Sequence, residues 1–544
     1  MLKYYLLKME PEQDDGNIEY KLKLLGKNVD RIQQLESQMR YRVNEGKGEA
    51  MYVLGVTDKG VMVGLTSEEF KESFNNLLLA AKNSMYKLNV LTEKTVDGGG
   101  EGSKIYEILV RENNINKYID IKVTVAGNVD SGKSTLLGVL TSGNKDDGRG
   151  SARLSVFNFA HEISSGRTSS IAQHILGFDA KGNSVNCDGR KDWPDIVKMS
   201  SKIITFYDLC GHEKYLKTTI LGLTSSCPDL CLILIGANMG ITKMTQEHIF
   251  IAVTLNIPFV IIVTKVDICE NRQNVLEETV KNINILLKRP GLRKIPYKVN
   301  NIDDVILCSK NIQSESIVPI FHISSVTGTG VDNLLGFLNL LGKHSSNIKE
   351  TKEVEYYIDN TFTVTGVGTV IGGHLISGRI NVGDKLLIGP NQGKFNTIQI
   401  KSIHCKRVAL QSVDYGCYVC LGVKFLGVKK INIRKGNVIV STTTNPIAVQ
   451  EFNCDITVLK AHSTTIKLGY EPVIQTSTIR QTATLIDINN KQNDRFSSTD
   501  NEKVLRIGDK ATVRFRFKCR PEYIKQGTKL LMTEGKVKVI GSVI

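Results

Sequence analysis

The stretch Gly127-Asn128-Val129-Asp130-Ser131-Gly132-Lys133-Ser134 restricts this chain more than any other. It follows an apolar, β-branched run, IDIKVTVA, and Thr135 opens the helical TLLGVL behind it. Glycines between a strand and a helix let successive backbone N–H groups turn toward one anion, and the helix N-terminus adds partial positive charge. In that setting Lys133 reaches β- and γ-phosphates, and the Ser134 hydroxyl is offered to Mg²⁺. The loop commits this part of the chain to an α/β domain with nucleoside phosphates at the strands' C-terminal ends.

Three later stretches say which nucleotide. Asp208-Leu209-Cys210-Gly211-His212 ends the β-rich run KIITFYDL. An Asp there can hold Mg²⁺ through water, and Gly211 lets a backbone N–H swing toward a γ-phosphate. Thr264-Lys265-Val266-Asp267 closes the run FVIIV. A carboxylate in a base pocket accepts from N1–H and N2–H₂ of guanine, a pair of donors that adenine lacks, while the Lys265 stem lies over the base. Ser324-Ser325-Val326 closes a further strand, where a backbone N–H could meet guanine O6. These stretches, in order and each at a strand's end, predict GTP and GDP as ligands, with Mg²⁺.

Around this centre the 544 residues divide by composition and charge. Residues 1–118 carry 17 Lys+Arg and 18 Asp+Glu, and read as an α+β accessory domain. In it Asp58-Lys59-Gly60 reads as a hairpin turn. Thr66-x-x-Glu69 reads as a capping box opening a helix, with Phe70, Phe74, Leu77 and Leu78 on one stripe. Residues 119–345 alternate β-branched runs with helical stretches, as a parallel sheet with helices on both faces requires. Residues 346–445 and 446–544 show short alternating strands with little helical period, which suggests two antiparallel β-barrels.

Residues 346–544 hold 29 Lys+Arg against 16 Asp+Glu, so the basic excess lives there and points to a polyanionic partner. VRFRFKCR (513–520) alternates strictly, with Arg514, Arg516, Lys518 and Arg520 on one face. Their spacing of about 6.6 Å is near the per-strand phosphate spacing of nucleic acid, so this face is a candidate RNA contact. Lys406-Arg407 and Lys429-Lys430 are weaker candidates. The apolar runs are under ten residues, too short to cross a membrane. Eleven scattered cysteines read as reduced thiols, so a cytoplasmic location is expected. Trp193 reads as packing, and Arg149 and Arg167 as solvated charges.

GNVDSGKS and DLCGH, with a histidine directly after the glycine, resemble the translation-factor GTPases. DDGRGSAR (146–153), SGRTSSI (165–171), GHEKYLKTTILGL (211–223), RKIP (293–296), TVTGVGTVIGGHLISG (363–378) and IRQTATL (479–485) resemble, more narrowly, the GTP-binding protein 1 and 2 subfamily. The resemblance runs from about residue 119 to the C-terminus, and more weakly through GEAMYVLGV.

It implies a P-loop GTPase domain followed by two β-barrels, GTP hydrolysis, and a catalytic His212 that orients the attacking water, the task a Gln performs in small GTPases. It also implies a GTP-dependent switch that binds aminoacyl-tRNA or the ribosome, with an exchange or activating partner. The alternative is a GTP-gated RNA or protein scaffold in RNA turnover; the extra N-terminal domain favours it somewhat. Thr264 stands where most GTPases have Asn, a change the subfamily shares. In RTSSI, Ser170 takes the position of a Mg²⁺-ligating Thr, with Thr168 as the other candidate. Ser169 replaces an isoleucine that, with the valine aligned to Val129, restricts approach of the histidine.

Overall fold

The computed structural model describes residues 9–26, 28–96, 102–113, 118–157, 162–163, 168, 171–186, 192–289, 291–343, 351–427, 431–458, 465–492, 504–534 and 536–544. Its centre is a seven-stranded sheet in the order Ile295–Lys298, Ile317–Ile323, Phe259–Thr264, Leu230–Gly236, Ile119–Gly127, Lys202–Asp208, Ala172–Phe178. All neighbours are parallel except the last pair. The inner strands are buried along their whole length because helices cover both faces; Leu230–Gly236 and Phe259–Thr264 are almost wholly apolar, while Ile119–Gly127 and Lys202–Asp208 bury Asp120, Lys122 and Lys202 among their apolar residues. Helices Lys133–Ser142, Ile302–Asn311 and Val331–Leu340 pack on one side, and Leu216–Ser225, Lys243–Thr254 and Gln273–Leu287 on the other. The five β-branched runs read within residues 119–345, IDIKVTVAG, KIITFYDL, LCLILIG, FVIIVTK and PIFHISS, are the five central strands. The edge strands Ala172–Phe178 and Ile295–Lys298 are additional.

The N-terminal region is a four-stranded sheet, Ile18–Lys21, Glu49–Leu54, Lys104–Glu112, Tyr86–Thr95, with helices Val29–Glu45 and Ser67–Asn83 on one face. Thr66 and Glu69 form the expected capping box. Leu77 is buried as expected, but Leu78 is 45% exposed. The sheet-facing stripe includes Ser73 and Asn76 instead, because their side chains bond the Leu24 backbone. The Asp58-Lys59-Gly60 turn forms, but its second arm pairs only through isolated bridges, Val56 with Met62 and Leu65 with Lys104.

Three buried charges fasten this region to the central unit. Glu49 and Arg111 are register partners on adjacent strands, with Arg111 Nη2 donating to Glu49 Oε2 at 2.9 Å. Lys202 Nζ donates to Glu49 Oε1 at 2.6 Å and to the carbonyls of Asn339 and Leu341 at 2.7 and 2.9 Å. Arg111 also donates to the Asn339 side chain and carbonyl, both at 2.9 Å.

Two antiparallel barrels follow. In the first, Lys385–Asn391, Val438–Val440, Glu355–Val364, Gly368–Ser377, Tyr418–Phe425 and Lys394–Cys405 close on themselves through pairing of the first and last strands. In the second, Glu451–Val458, Lys510–Phe517, Ile479–Gln492, Val473–Thr476, Lys529–Glu534 and Lys536–Val543 form a closed six-stranded barrel. Leu531 and Ile540 of the second barrel join the apolar layer under the central sheet. The first barrel is tied to the central unit at one turn. Lys406 Nζ donates to Asp120 Oδ2 at 2.7 Å, both buried, and the Arg407 guanidinium lies 4.9 Å over the Trp193 ring. Trp193 therefore packs between domains. Among the described residues no helix is long and apolar enough to cross a membrane.

Candidate nucleotide site

The phosphate loop joins Ile119–Gly127 to Lys133–Ser142. Asp130 (φ 58°) and Gly132 (φ 81°) stand in the left-handed region, turning the loop back on itself. Any side chain at Gly127 would meet the Leu234 carbonyl at 2.5 Å, so the loop can sit this close to the next strand only with glycine there. Ser131 Oγ donates to the Asn128 carbonyl at 2.9 Å. Lys133 Nζ donates to the Asn128 and Gly127 carbonyls at 2.7 and 3.2 Å. Burial lowers the Lys133 pKa, against the pull of Asp208, and a buried ammonium held only by carbonyls favours an anion beside it.

Asp208 ends the strand Lys202–Asp208 and is buried. Its Oδ2 accepts from Ser134 Oγ at 2.8 Å and from Thr168 Oγ1 at 3.2 Å, and the two hydroxyls lie 2.9 Å apart. Asp208 Oδ1 is buried with no hydrogen-bond partner. Burial raises the carboxyl's pKa; Lys133 and the two hydroxyls oppose the rise. One carboxylate and two hydroxyls are a hard-oxygen set, and the orphaned Oδ1 is the kind of atom a Mg²⁺ or its water would satisfy, so the residues fit that ion. Thr168 holds this position; Ser169 and Ser170 lie outside the described residues.

Gly211 sits against the loop. A Cβ there would run into Lys133 Nζ and meet the Gly127 carbonyl at 2.7 Å. His212 stands beyond it at the cleft mouth, exposed, with Nδ1 accepting from the Lys214 N–H at 3.1 Å and its ring edge-on to Tyr215. Val129, Asp130, Thr135 and Arg153 line the same cleft. Arg149 is exposed, and Arg167 lies outside the described residues.

On the base side Thr264 is buried, and its Oγ1 donates to the Ser131 carbonyl at 2.8 Å. Lys265 turns the chain with φ 59°, and half-buried Asp267 follows in the short 3₁₀ turn Val266–Cys269. The Ser324 hydroxyl is committed to its own turn, accepting from the N–H groups of Val326 and Thr327 at 3.2 and 3.1 Å. The Ser325 carbonyl accepts from the Asp146 N–H at 2.9 Å, which draws the loop after the phosphate-binding helix beside the base strands.

The basic strand has the expected alternation as far as Phe517, where it ends, with Phe515 and Phe517 buried; Cys519, expected on the same face, lies beyond the strand and is exposed. Its cations, however, are paired. Arg514 and Arg516 both reach Glu451 at 2.5 Å, Lys518 reaches Glu471 at 2.6 Å, and Arg520 reaches Glu522 at 3.4 Å. These acids lie on other strands or beyond the run, where alternation within one segment gives no sign of them. Lys406 is buried in its pair with Asp120, and Lys429 and Lys430 lie outside the described residues.

A phosphate loop, an Asp208 end and a Thr264-to-Asp267 base strand on one parallel sheet, with two barrels behind, define a GTP-hydrolysing protein on the plan of the elongation factors. Residues 120–343 match the elongation factor Tu GTP-binding domain family. The chain is 44% identical to GTP-binding protein 2 of Mus musculus, over 98% of this chain and 88% of that one. It is 43% identical to GTP-binding protein 1 of Xenopus laevis, over 97% and 78% respectively. The fold is similar to translation elongation factor SelB of Methanococcus maripaludis, solved with the GTP analogue GppNHp (TM-score 0.56, 18% identity, 78% of this chain and 79% of that chain). The chain belongs to the GTP-binding protein 1 and 2 family.

Proposed function

We propose that this GTPase is a Mg²⁺-dependent switch that engages tRNA and the ribosome in its GTP state. In this reading Gly127 to Thr135 cradle the phosphates and Ser134, Asp208 and the Thr168 or Ser170 hydroxyl hold the cation. Thr264, Lys265 and Asp267 select guanine with Ser324 to Val326, and His212 orients the water. A bound Mg²⁺ would neutralise charge on the phosphates. The protein's own contribution is positional: the loop fixes the phosphates, Gly211 brings a backbone N–H to the γ-phosphate, and the histidine behind it holds water in line.

One observation carries the reading. Thr168 is hydrogen-bonded to the phosphate-loop Ser134 and to Asp208, and three residues later the chain enters the edge of a cleft between the central unit and the first barrel. Ile171, Gln173 and Tyr207 line one wall of that cleft, Asn360 and His374 the other. On the barrel hairpin that carries Asn360, Phe362 is 48% and Val364 42% exposed, an apolar platform on which an unpaired RNA base can stack. In this reading the nucleotide state sets the shape of a surface suited to an RNA end.

Turnover of GTP by the purified protein, with and without ribosomes and with His212→Ala as control, tests this. Ribosome stimulation lost in the variant supports it. Turnover indifferent to ribosomes sinks it and leaves the scaffold reading.

A further inference from the structure

The segment DDGRGSAR, Asp146 to Arg153, contains more backbone constraints than a surface loop needs. Asp146 is buried, and its Oδ2 accepts from the N–H groups of Gly148 and Gly150 at 3.0 and 3.2 Å, its Oδ1 from that of Ala152 at 2.9 Å. Asp147 Oδ1 accepts from Arg149 and Ser151 at 2.8 and 3.2 Å. Two carboxylates thus fix five consecutive N–H groups, those of residues 148 to 152, taking them alternately, and the chain winds into the 3₁₀ turn Ala152–Ser155. That turn sits hard on the helix of the phosphate loop. A side chain at Gly138 would collide with the Ala152 carbonyl, so glycine at 138 is what permits the contact.

The product of this winding is the position of one side chain. Gly150 has φ 91°, and a Cβ there would meet Arg153 Nε at 2.7 Å and Cζ at 3.0 Å. The guanidinium therefore lies across the space that glycine leaves free. It faces the cleft that Lys133, Ser134, Thr168, Gly211 and His212 line. Arg153 is half-buried, and among the described residues it forms no ion pair. Arg149, fixed in the same loop, points to solvent.

We propose that Arg153 is a catalytic cation supplied in cis, which binds the nucleotide's phosphates and stabilises the charge that grows on them during hydrolysis. The proposal rests on the GTPase reading of this site. In the step, the bond between γ-phosphorus and the β–γ bridging oxygen breaks and a bond from the water oxygen to γ-phosphorus forms. The leaving charge passes to the β-phosphate, and a water proton goes to the released phosphate. Arg153 keeps its proton throughout; its planar fork of N–H donors meets phosphate oxygens two at a time. Lys133 alone is a point charge held back by two carbonyls. A second cation lining the same cleft adds a planar pair of donors that Lys133 does not supply. The invariance of a guanidinium's charge across physiological pH suits a group that must never act as the base.

The test uses the full chain with Arg153→Ala, Arg153→Lys and Arg149→Ala, measuring single-turnover GTP hydrolysis, affinity for a fluorescent GDP, and trapping of GDP with aluminium fluoride. The expected result for Arg153→Ala is a loss of hydrolysis of about 10²–10³-fold and loss of fluoride trapping, with GDP affinity changed less than about threefold. Arg153→Lys, which keeps the charge and the fold, should bind GDP normally and recover only part of the rate. Arg149→Ala should match the wild type. Hydrolysis within about threefold of wild type in Arg153→Ala overturns the proposal, and so does equal loss of GDP and GTP affinity at an unchanged single-turnover rate. A wild type that binds GTP but neither hydrolyses it nor traps fluoride overturns the hydrolysis reading itself, an outcome visible before any Arg153 variant is compared.

Discussion

The Thr264 hydroxyl donates to the Ser131 carbonyl at 2.8 Å, joining the last residue of a base-side strand to the middle of the phosphate loop. The bond crosses 133 residues of sequence and holds the two halves of the nucleotide site in register. Thr264→Ala leaves that buried carbonyl without its donor, at a cost of about 1 kcal/mol. Affinity for GDP and GTP should fall about fivefold, while Thr264→Ser keeps most of it. Titration with a fluorescent nucleotide reads this; unchanged affinity in the alanine variant would show that the bond does not shape the site.

Asp267 tests the base assignment. Its carboxylate only accepts hydrogen bonds, whereas Asn offers an N–H in the same volume. Asp267→Asn should lower GTP affinity by 10-fold or more, on the order of 1.5–3 kcal/mol for a charged hydrogen-bonding partner. It should also raise affinity for xanthosine triphosphate, whose C2 carbonyl replaces the guanine amine. Competition between the two nucleotides is the measurement, and a variant that still prefers GTP would remove Asp267 from the base pocket.

The buried knot of Glu49, Arg111 and Lys202 makes a stability prediction. Burial already depresses the Lys202 ammonium to about 8 against the pull of Glu49. Glu49→Ala leaves two cations without their carboxylate, a change of about 3–5 kcal/mol. The urea midpoint of the full chain should drop sharply, with Glu49→Gln intermediate. A Glu49→Ala protein as stable as wild type would mean water reaches the knot.

Acid should weaken the fold earlier than the carboxylates alone require. His248 is fully buried with both ring nitrogens unpartnered, and burial pushes it down to about 3; His374, at the joint with the first barrel, is held well below the usual range by burial and by nearby lysines. Both are neutral in the fold, while the unfolded chain takes a proton near pH 6.5. Stability from these groups is therefore complete above about pH 6.5 and is lost as pH falls below it, by up to about 1.4 kcal/mol per pH unit for each. Urea midpoints at pH 7 and pH 5.5 should differ, and His248→Leu should shrink the difference. Equal midpoints in the wild type would contradict this.

The sequence was most legible where burial is two-sided. The strands ending at Gly127, Asp208 and Thr264 read as β-branched, largely apolar runs because helices cover both faces, and the chemistry sits at their ends. Edge strands escape that logic: Ala172–Phe178 contains Gln173 and His174, and Ile295–Lys298 contains a proline. Arg153 escaped for another reason, since it is placed by the backbone turns of Asp146 and Asp147 and by two glycines rather than by any periodicity. The basic face of Arg514 to Arg520 was legible as geometry, but Glu451 and Glu471, which neutralise much of it, are brought in by barrel closure from 47 to 65 positions away.

The knot beneath the N-terminal sheet also has an order in time. Glu49 and Arg111 face each other across neighbouring strands, so that pair can close as soon as the first 112 or so residues have left the ribosome that makes them. Lys202 arrives later with its charge, and its remaining partners, the carbonyls of Asn339 and Leu341, later still. Glu49 is the carboxylate that Lys202 meets, and the carbonyls at the end of the last helix of the central unit complete its shell. The knot is thus assembled from three distant stretches of chain, with the N-terminal sheet supplying the carboxylate and the central unit the lysine and the carbonyls that complete it.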